Sequence, residues 1–152
     1  MKLLEYQAKE VLASLGIPIP RGKVARTPDE AAAACAELGP IAVKAQVPVG
    51  GRGKAGGIKL AKTPEEAGAA AAQIIGMDIK GFKVPLVYCE VALDIEREIY
   101  LGFTVDRDAR ANILMLSAKG GMDIEQVAHE SPESIARLYP NPWRGPLDFE
   151  VN

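Results

Sequence analysis

Residues 41–59 read IAVKAQVPVGGRGKAGGIK, and the rest of the chain is read outward from them. An apolar run comes first, broken by one cation, Lys44. Five glycines then fall within the eight residues 50–57, with Arg52 and Lys54 between them. A tight hairpin needs one or two glycines, and the remainder cost conformational entropy. Such a loop suits a backbone that must approach something closely, and the interleaved cations make that something an anion.

Gly51, Gly53 and Gly56 satisfy G-x-G-x-x-G, but the dinucleotide fingerprint requires a strand leading into a helix. The segment that follows, GIKLA, has strand character. A phosphate-binding Walker loop fails as well. Pro48 stands where its first glycine is needed, and Ala55 stands where Ser or Thr would meet magnesium. What fits is strand–glycine loop–strand, a flap that offers backbone N–H groups to phosphates. Protein kinases use such a flap with the phosphate lysine on the strand after it, whereas Lys44 precedes this one. An unpaired ammonium on a buried strand is costly. Lys44 therefore either snorkels at a sheet edge or points into a cleft toward an anion, and the adjacent flap favours the cleft. Arg52 and Lys54 would otherwise form a solvated hairpin tip.

Around this stretch the chain alternates helices and strands. Residues 3–15 put Leu4, Ala8, Val11 and Leu15 on one helical face, stopped by Gly16 and Pro18. Strands are predicted at 21–25, 41–47, 57–61, 84–92, 97–107 and 111–119. The runs TPDE (27–30) and TPEE (63–66) each place a capping Thr, a Pro at the first helical position and a capping-box Glu before an alanine-rich helix. Those helices run to about Leu38 and Ile75. A helix is expected at 123–129, and SPES at 131–134 caps a short one. The tail YPNPWRGPLDFEVN reads as a linker or an edge, not as a domain's last element.

The totals narrow the function classes. A net charge of −2 gives no global case for nucleic acid or an anionic membrane, so anion binding must be local. Cys35 and Cys89 lack CxxC spacing, and with one histidine they cannot complete a four-ligand zinc site without carboxylates. They read as buried reduced thiols of a cytoplasmic protein. The charged N-terminal stretch is not a signal peptide, and no apolar run reaches the length of a membrane span. His129 sits on an exposed helical face and reads as a solvated histidine. Asp106 and Asp108, in DRDAR between two strands, read as turn residues, not metal ligands.

Taken in order, lysine strand, glycine flap, strand, helix and acidic strand resemble the N-terminal part of an ATP-grasp fold. More narrowly, LLEYQAKEVLASLGIPIPRG, VKAQVPVGGRGKAGGIKL, EVALDIEREIYLGFTVDR and GGMDIEQVA are similar to the β subunits of succinate–CoA ligase (ADP-forming succinyl-CoA synthetase) and its relative malate–CoA ligase. The resemblance implies an α/β fold of two α+β lobes with mixed sheets, the second lobe incomplete. A small lobe would occupy 20–88, and 1–19 with 89–152 would be part of the second.

It further implies ATP or GTP between the lobes. Lys44, Gly51, Arg52 and Gly53 would lie on the phosphates, Glu90 and the backbone beside it at the purine, and Glu98 at the ribose. Leu93 stands near the base, where some relatives have threonine, and the connection at 76–83 is shorter than in many. The implied reaction makes acyl-CoA from a carboxylate, CoA and a nucleoside triphosphate. It passes through a phosphohistidine on a partner α subunit, in a heterodimer or heterotetramer. The implied Mg2+ ligands lie beyond Asn152, so this chain carries no metal ligand and no catalytic residue, and alone it is expected to be inactive. Two alternatives stay open: another ATP-grasp ligase, citrate-cleaving or carboxylate–amine in type, or a nucleotide-binding or assembly module without chemistry.

Overall fold

A computed structural model describes residues 2–121 and 124–151, which fall into two compact units, Met1–Leu93 and Asp94–Asn152. The first unit runs α1 (Glu5–Ser14), β1 (Gly22–Ala25), α2 (Pro28–Leu38), β2 (Ile41–Ala45), β3 (Ile58–Ala61) and α3 (Pro64–Ile74). It continues with a hairpin, β4 (Asp78–Ile79) and β5 (Phe82–Lys83), and closes on β6 (Val87–Val91). Four strands form one antiparallel sheet in the order β1-β6-β2-β3.

Register sorts this sheet into two unlike faces. Directly opposed residues share a face, so Ile41, Val43 and Ala45 line up with Val87, Cys89, Ala25 and Ala61. All of these are buried, and α2 and α3 cover them with Ala31, Ala34, Ala67, Ala71 and Ile74. Burying a Val or Ile side chain stabilises by about 1.5–3 kcal/mol, so this face holds the unit together. The alanines keep the two helices close: a Cβ added at Gly68 of α3 would lie 3.4 Å from the Pro28 carbonyl oxygen. The opposite face carries Lys44, Tyr88, Glu90 and Gly22 and receives α1 and the glycine loop.

Both expected helix starts form. Thr27 Oγ1 accepts from the Glu30 N–H at 3.2 Å, and Thr63 Oγ1 from the Glu66 N–H at 3.3 Å. The two glutamates reach back one residue further than a standard box, to the N–H groups of Arg26 and Lys62. The apolar stripe of α1 does not enter a core: the helix has no buried residue, and Val11 and Leu15 are exposed. Its Glu5, Tyr6 and Lys9 side meets the sheet instead, because that face is polar and aromatic. The 76–83 connection is a hairpin turned by Lys80 and Gly81, both at positive φ as a type I′ turn requires. Its Ile79 is buried against the core.

The second unit is a three-stranded antiparallel sheet, β7 (Tyr100–Asp106), β8 (Ala111–Ser117) and β9 (Ile135–Leu138), with α4 (Ile124–Glu130) and a short 3-10 turn at Pro132–Ser134. Met122 and Asp123, expected to lead the helix, lie outside the described residues. Asp106 Oδ1 accepts from the N–H groups of Asp108 and Ala109 at 3.0 and 2.9 Å, which makes DRDAR the expected turn. His129 is exposed on α4. The strand β9 was not expected, and the tail is less irregular than its prolines suggest: Asn141 bridges Gly145, and α5 (Asp148–Val151) follows.

The glycine loop is folded on itself between β2 and β3. Ala55 N–H donates to Gly51 O at 3.1 Å, Gly57 N–H to Arg52 O at 2.8 Å, and Ala45 N–H to Gly57 O at 2.7 Å. A Cβ at Gly57 would meet Ile79 Cδ1 at 2.8 Å, Ala45 Cβ at 3.0 Å and the Arg52 carbonyl at 3.1 Å. None of these can retreat easily, because Ile79 and Ala45 are in the core. Gly57→Ala should therefore lower unfolding stability in urea by about 1–3 kcal/mol. Gly50→Ala, with open space around the added methyl, should change it little. Equal stability of the two variants would contradict this packing.

Candidate functional site

On its polar face β6 carries Glu90, which is 4% exposed although it is a carboxylate. It is answered from two elements. Lys9 of α1 donates to Glu90 Oε1 and Lys44 of β2 donates to Glu90 Oε2, so both oxygens are held by ammonium groups. Lys44 sits two residues along β2 from Ala42, the residue opposed to Glu90, which makes the pair a diagonal cross-strand contact. Because β2 is bonded on both sides, by β6 and β3, the sheet-edge reading of Lys44 is excluded. Its ammonium lies in the interior face of the unit.

Glu5, one turn before Lys9 on α1, adds a second carboxylate. Its Oε1 is 3.2 Å from both Lys9 Nζ and Lys44 Nζ, and its Oε2 is 2.8 Å from Arg52 Nη1. The Arg52 contact is one of charge, since Oε2 accepts no hydrogen bond among the described residues. Arg52 also donates to the Ala45 carbonyl at 3.0 Å, which folds the glycine loop back over the end of β2. The loop cation is therefore not a solvated hairpin tip. Three cations face two carboxylates, an excess of one positive charge.

The titration of the cluster follows from that excess. Burial alone would raise the Glu5 carboxyl, but Lys44, Arg52 and Lys9 outweigh it and hold the group at about 2. Burial, then the neighbouring Lys44 charge, pulls the Lys9 ammonium below its usual range despite Glu5. A carboxylate held so firmly beside a destabilised ammonium is what an over-supply of cations produces. Elsewhere in the unit burial pushes the Cys89 thiol up to about 11 and raises Cys35, so both cysteines are inert buried thiols.

Beside the cluster a cleft of about 450 Å³ opens between α1 and β1, with Tyr6, Lys9, Ile19, Arg21, Leu38 and Tyr88 in its walls. Tyr6 and Tyr88 stack at 6.5 Å, and Lys9 lies 5.4 Å above the Tyr88 ring. Tyr88 occupies the space that a side chain at Gly22 would need, since a Cβ there would come within 2.4 Å of the ring. The cleft walls carry both signs of charge, Lys9, Arg21 and Lys23 with Glu10 and Glu37, beside the two aromatic rings.

The sequence matches the ATP-grasp domain over residues 2–152. The chain belongs to the ATP-grasp family. It is 52% identical over 152 residues to the succinate–CoA ligase [ADP-forming] β subunit of Haloarcula marismortui, covering 99% of this chain and 40% of that protein. The [GDP-forming] β subunit of Thermus thermophilus matches with the same identity and coverage. The chain thus spans about two fifths of the length of these relatives. Among solved structures, a dinucleotide-forming acetyl-coenzyme A synthetase from Ca. Korarchaeum cryptofilum superposes with a TM-score of 0.68 at 23% identity, over 91% of this chain and 60% of that one. ATP citrate lyase from Methanothrix soehngenii superposes with a TM-score of 0.68 at 18% identity, over 95% of this chain and 36% of that one. At such identities the superpositions show the fold.

Within this ATP-grasp chain the structure brings Lys44, Arg52 and Glu90 together and places Gly51 and Gly53 in the loop that Arg52 closes. Leu93 is exposed at the end of the first unit. Glu98 belongs to the second unit, where it rests against Gly120 and Gly121: the Gly120 N–H donates to Glu98 O at 3.2 Å, and a Cβ at Gly121 would strike its carboxylate. Sequence reading missed Glu5, Lys9 and Tyr88. The signal available for the first two was their i, i+4 spacing on α1, opposite in charge. Among the described residues no three His, Cys, Asp or Glu side chains are grouped to hold a metal ion, and no helix is long and apolar enough to cross a membrane.

Glu5 makes this unit acid-labile in a defined window. Its carboxyl lies near 4.5 in the unfolded chain and about 2 when folded, so its contribution is complete above pH 4.5 and is lost as pH falls through 2. Screened by the solvent that still reaches the group, this is a stabilisation on the order of 1–2 kcal/mol. Amide exchange of β2 and β6, followed from pH 5 to pH 2, should show that loss. In Glu5→Gln the loss over the same window should be smaller, because the Glu5 share is gone while the other paired carboxylates remain.

Proposed function

We propose that this chain is the nucleotide-binding part of an acid–CoA ligase β subunit, which binds ATP or GTP with its phosphates on the Lys44–Arg52 cluster. The observation that carries this is the cation excess at the mouth of the glycine loop. Lys9, Lys44 and Arg52 converge on two carboxylates from three separate elements, a helix, a strand and a flap. Phosphoryl groups are recognised by positive charge, which the cluster supplies in excess. The nucleotide-binding lobe in this reading is the first unit, Met1–Leu93, which holds all of β6 and the docked α1 and so is wider than the 20–88 read from the sequence.

Each remaining residue has a part. Gly51 and Gly53 let the flap backbone approach the phosphates. Gly53 has neither a positive φ nor a crowded Cβ position, the nearest atom being Ile58 Cδ1 at 3.8 Å, so the fold itself does not demand glycine there. A ligand lying on the loop would. Glu90 fixes Lys9 and Lys44, and with β6 it lies under the purine, which enters the cleft beside Tyr88. Leu93 lies near the base, and Glu98 accepts hydrogen bonds from ribose hydroxyls.

The relatives bear names of both ADP-forming and GDP-forming enzymes at equal identity, so the base is not distinguished. The reaction we assign to the whole enzyme converts a carboxylate, CoA and a nucleoside triphosphate to acyl-CoA, nucleoside diphosphate and phosphate. A phosphohistidine on a partner α subunit relays the phosphoryl group in a cytoplasmic heterodimer or heterotetramer. Magnesium would supply charge neutralisation to the phosphates. The described residues offer it no ligand set, and no catalytic step is assigned to this chain.

Calorimetry with ATP and GTP tests the reading. Lys44→Ala should weaken nucleotide binding by at least about tenfold, as loss of one charged phosphate contact implies. Gly53→Ala should weaken it without lowering the melting temperature. Unchanged affinity in Lys44→Ala would remove the lysine from the site. Turnover assays with and without an α subunit separate ligase from binding module, since a module stays silent in both.

A further inference from the structure

We propose that Glu5 is a built-in competitor for the phosphate chain: its carboxylate holds the cations that the nucleotide needs, and a bound triphosphate takes Lys44 and Arg52 from it. This rests on the nucleotide reading above and adds a residue that sets affinity at the same site.

Among the described residues, Glu5 is the side chain of the cluster that touches all three cations. Its two oxygens lie 3.2 Å from Lys9 and Lys44 and 2.8 Å from Arg52. The groups facing it are Lys9 from its own helix, Lys44 from β2, Arg52 from the loop, and Tyr88 with Glu90 from β6. A phosphate chain reaching Lys44 and Arg52 meets cations already in contact with carboxylates, Lys44 with Glu5 and Glu90 and Arg52 with Glu5, and adding its charge to theirs brings strong repulsion unless one carboxylate withdraws.

The fold decides which. Glu90 stands on an interior strand, bonded to β1 and β2, and is 4% exposed, so its carboxylate has little room to turn toward solvent. Glu5 sits in the first turn of α1, a helix with no buried residue. Its side chain can swing out while α1 stays attached through Lys9 to Glu90, Tyr6 N–H to Gln46 Oε1 at 3.3 Å, and the Tyr6–Tyr88 stack. Its hold is also the less complete, because buried Oε2 accepts no hydrogen bond among the described residues. A phosphate oxygen can satisfy the guanidinium in its place with a bidentate, charge-assisted contact. Departure of Glu5 leaves three cations against Glu90 alone, which raises the local excess of positive charge when the polyanion arrives.

Glu5 is thus a positioning residue with two effects. It keeps Lys44, Lys9 and Arg52 gathered, and it makes any weak monoanion compete with an intramolecular carboxylate. A polyphosphate, with several charges, wins that competition where a single carboxylate or inorganic phosphate does not.

The test is calorimetry of wild type and Glu5→Gln with ATP, inorganic tripolyphosphate and inorganic phosphate. Glu5→Gln should bind ATP and tripolyphosphate roughly tenfold tighter, as relief of one like-charge contact at a partly screened site predicts, and should gain detectable binding of inorganic phosphate. A merely structural role would weaken binding instead. Equal or weaker binding by the variant, with ATP still bound by wild type, overturns this inference and leaves the nucleotide reading standing. If neither protein binds ATP or tripolyphosphate, both fall. Should Glu5→Gln not fold, carbon-13 titration of the Glu5 carboxyl in wild type decides. Saturating tripolyphosphate should move it from about 2 toward the ordinary carboxylate range, and an unmoved titration overturns the inference.

Discussion

A carboxylate on an interior strand has to be answered where it stands, and Glu90 is such a group. It lies on β6, bonded to β1 on one side and β2 on the other, almost fully covered. Leaving it charged and unpaired there would cost several kcal/mol. The sheet therefore needs a cation within reach, and register supplies Lys44 from the adjacent strand while α1 supplies Lys9. Much else follows from this demand. α1 docks by charge and aromatic contact on a polar sheet face, which is why its apolar stripe is left exposed. Two ammonium groups gathered on one carboxylate then call in a second, Glu5, and through it Arg52 from the loop.

The glycine loop is thus tied to the sheet by its cation, not by a core of its own. Arg52 donates to the carbonyl of Ala45 at 3.0 Å, and Gly57 is pressed against Ala45 and Ile79 at the loop's far end. Gly50, before Arg52, and Gly53, between Arg52 and Gly57, meet no packing demand. One part of the loop is glycine because the fold requires it, and another part is free to serve a ligand. The Arg52 end joins the cation cluster and the Gly57 end joins the core, so the loop links the site to the fold.

The strand–loop–strand reading was legible from Lys44 and the glycine spacing, and the strand after the loop correctly ruled out a dinucleotide fingerprint. Both helix starts were legible because Thr-Pro-acid-Glu chemistry is local. What depended on register was not. Nothing in the sequence says that residues 42, 44, 88 and 90 share one face of a sheet, so the partners of Glu90 stayed hidden. The apolar stripe of α1 was legible, but not which side of the helix meets the sheet, because helical periodicity reports only which side is apolar. The Lys80–Gly81 hairpin was missed because Lys at positive φ lacks the usual Asn-Gly signature. Assignment of Glu98 to the ribose rests on resemblance, since it lies in the other compact unit.

The most direct measurement of the central claim is a nitrogen-15 NMR titration of the chain with ATP that observes backbone amides and lysine ammonium groups together. The account predicts that the Lys44 and Lys9 ammonium signals and the amides of Gly51, Arg52 and Gly53 move in concert, with one saturation curve. Perturbations confined to other residues, with Lys44 and the loop unmoved at saturation, would contradict it.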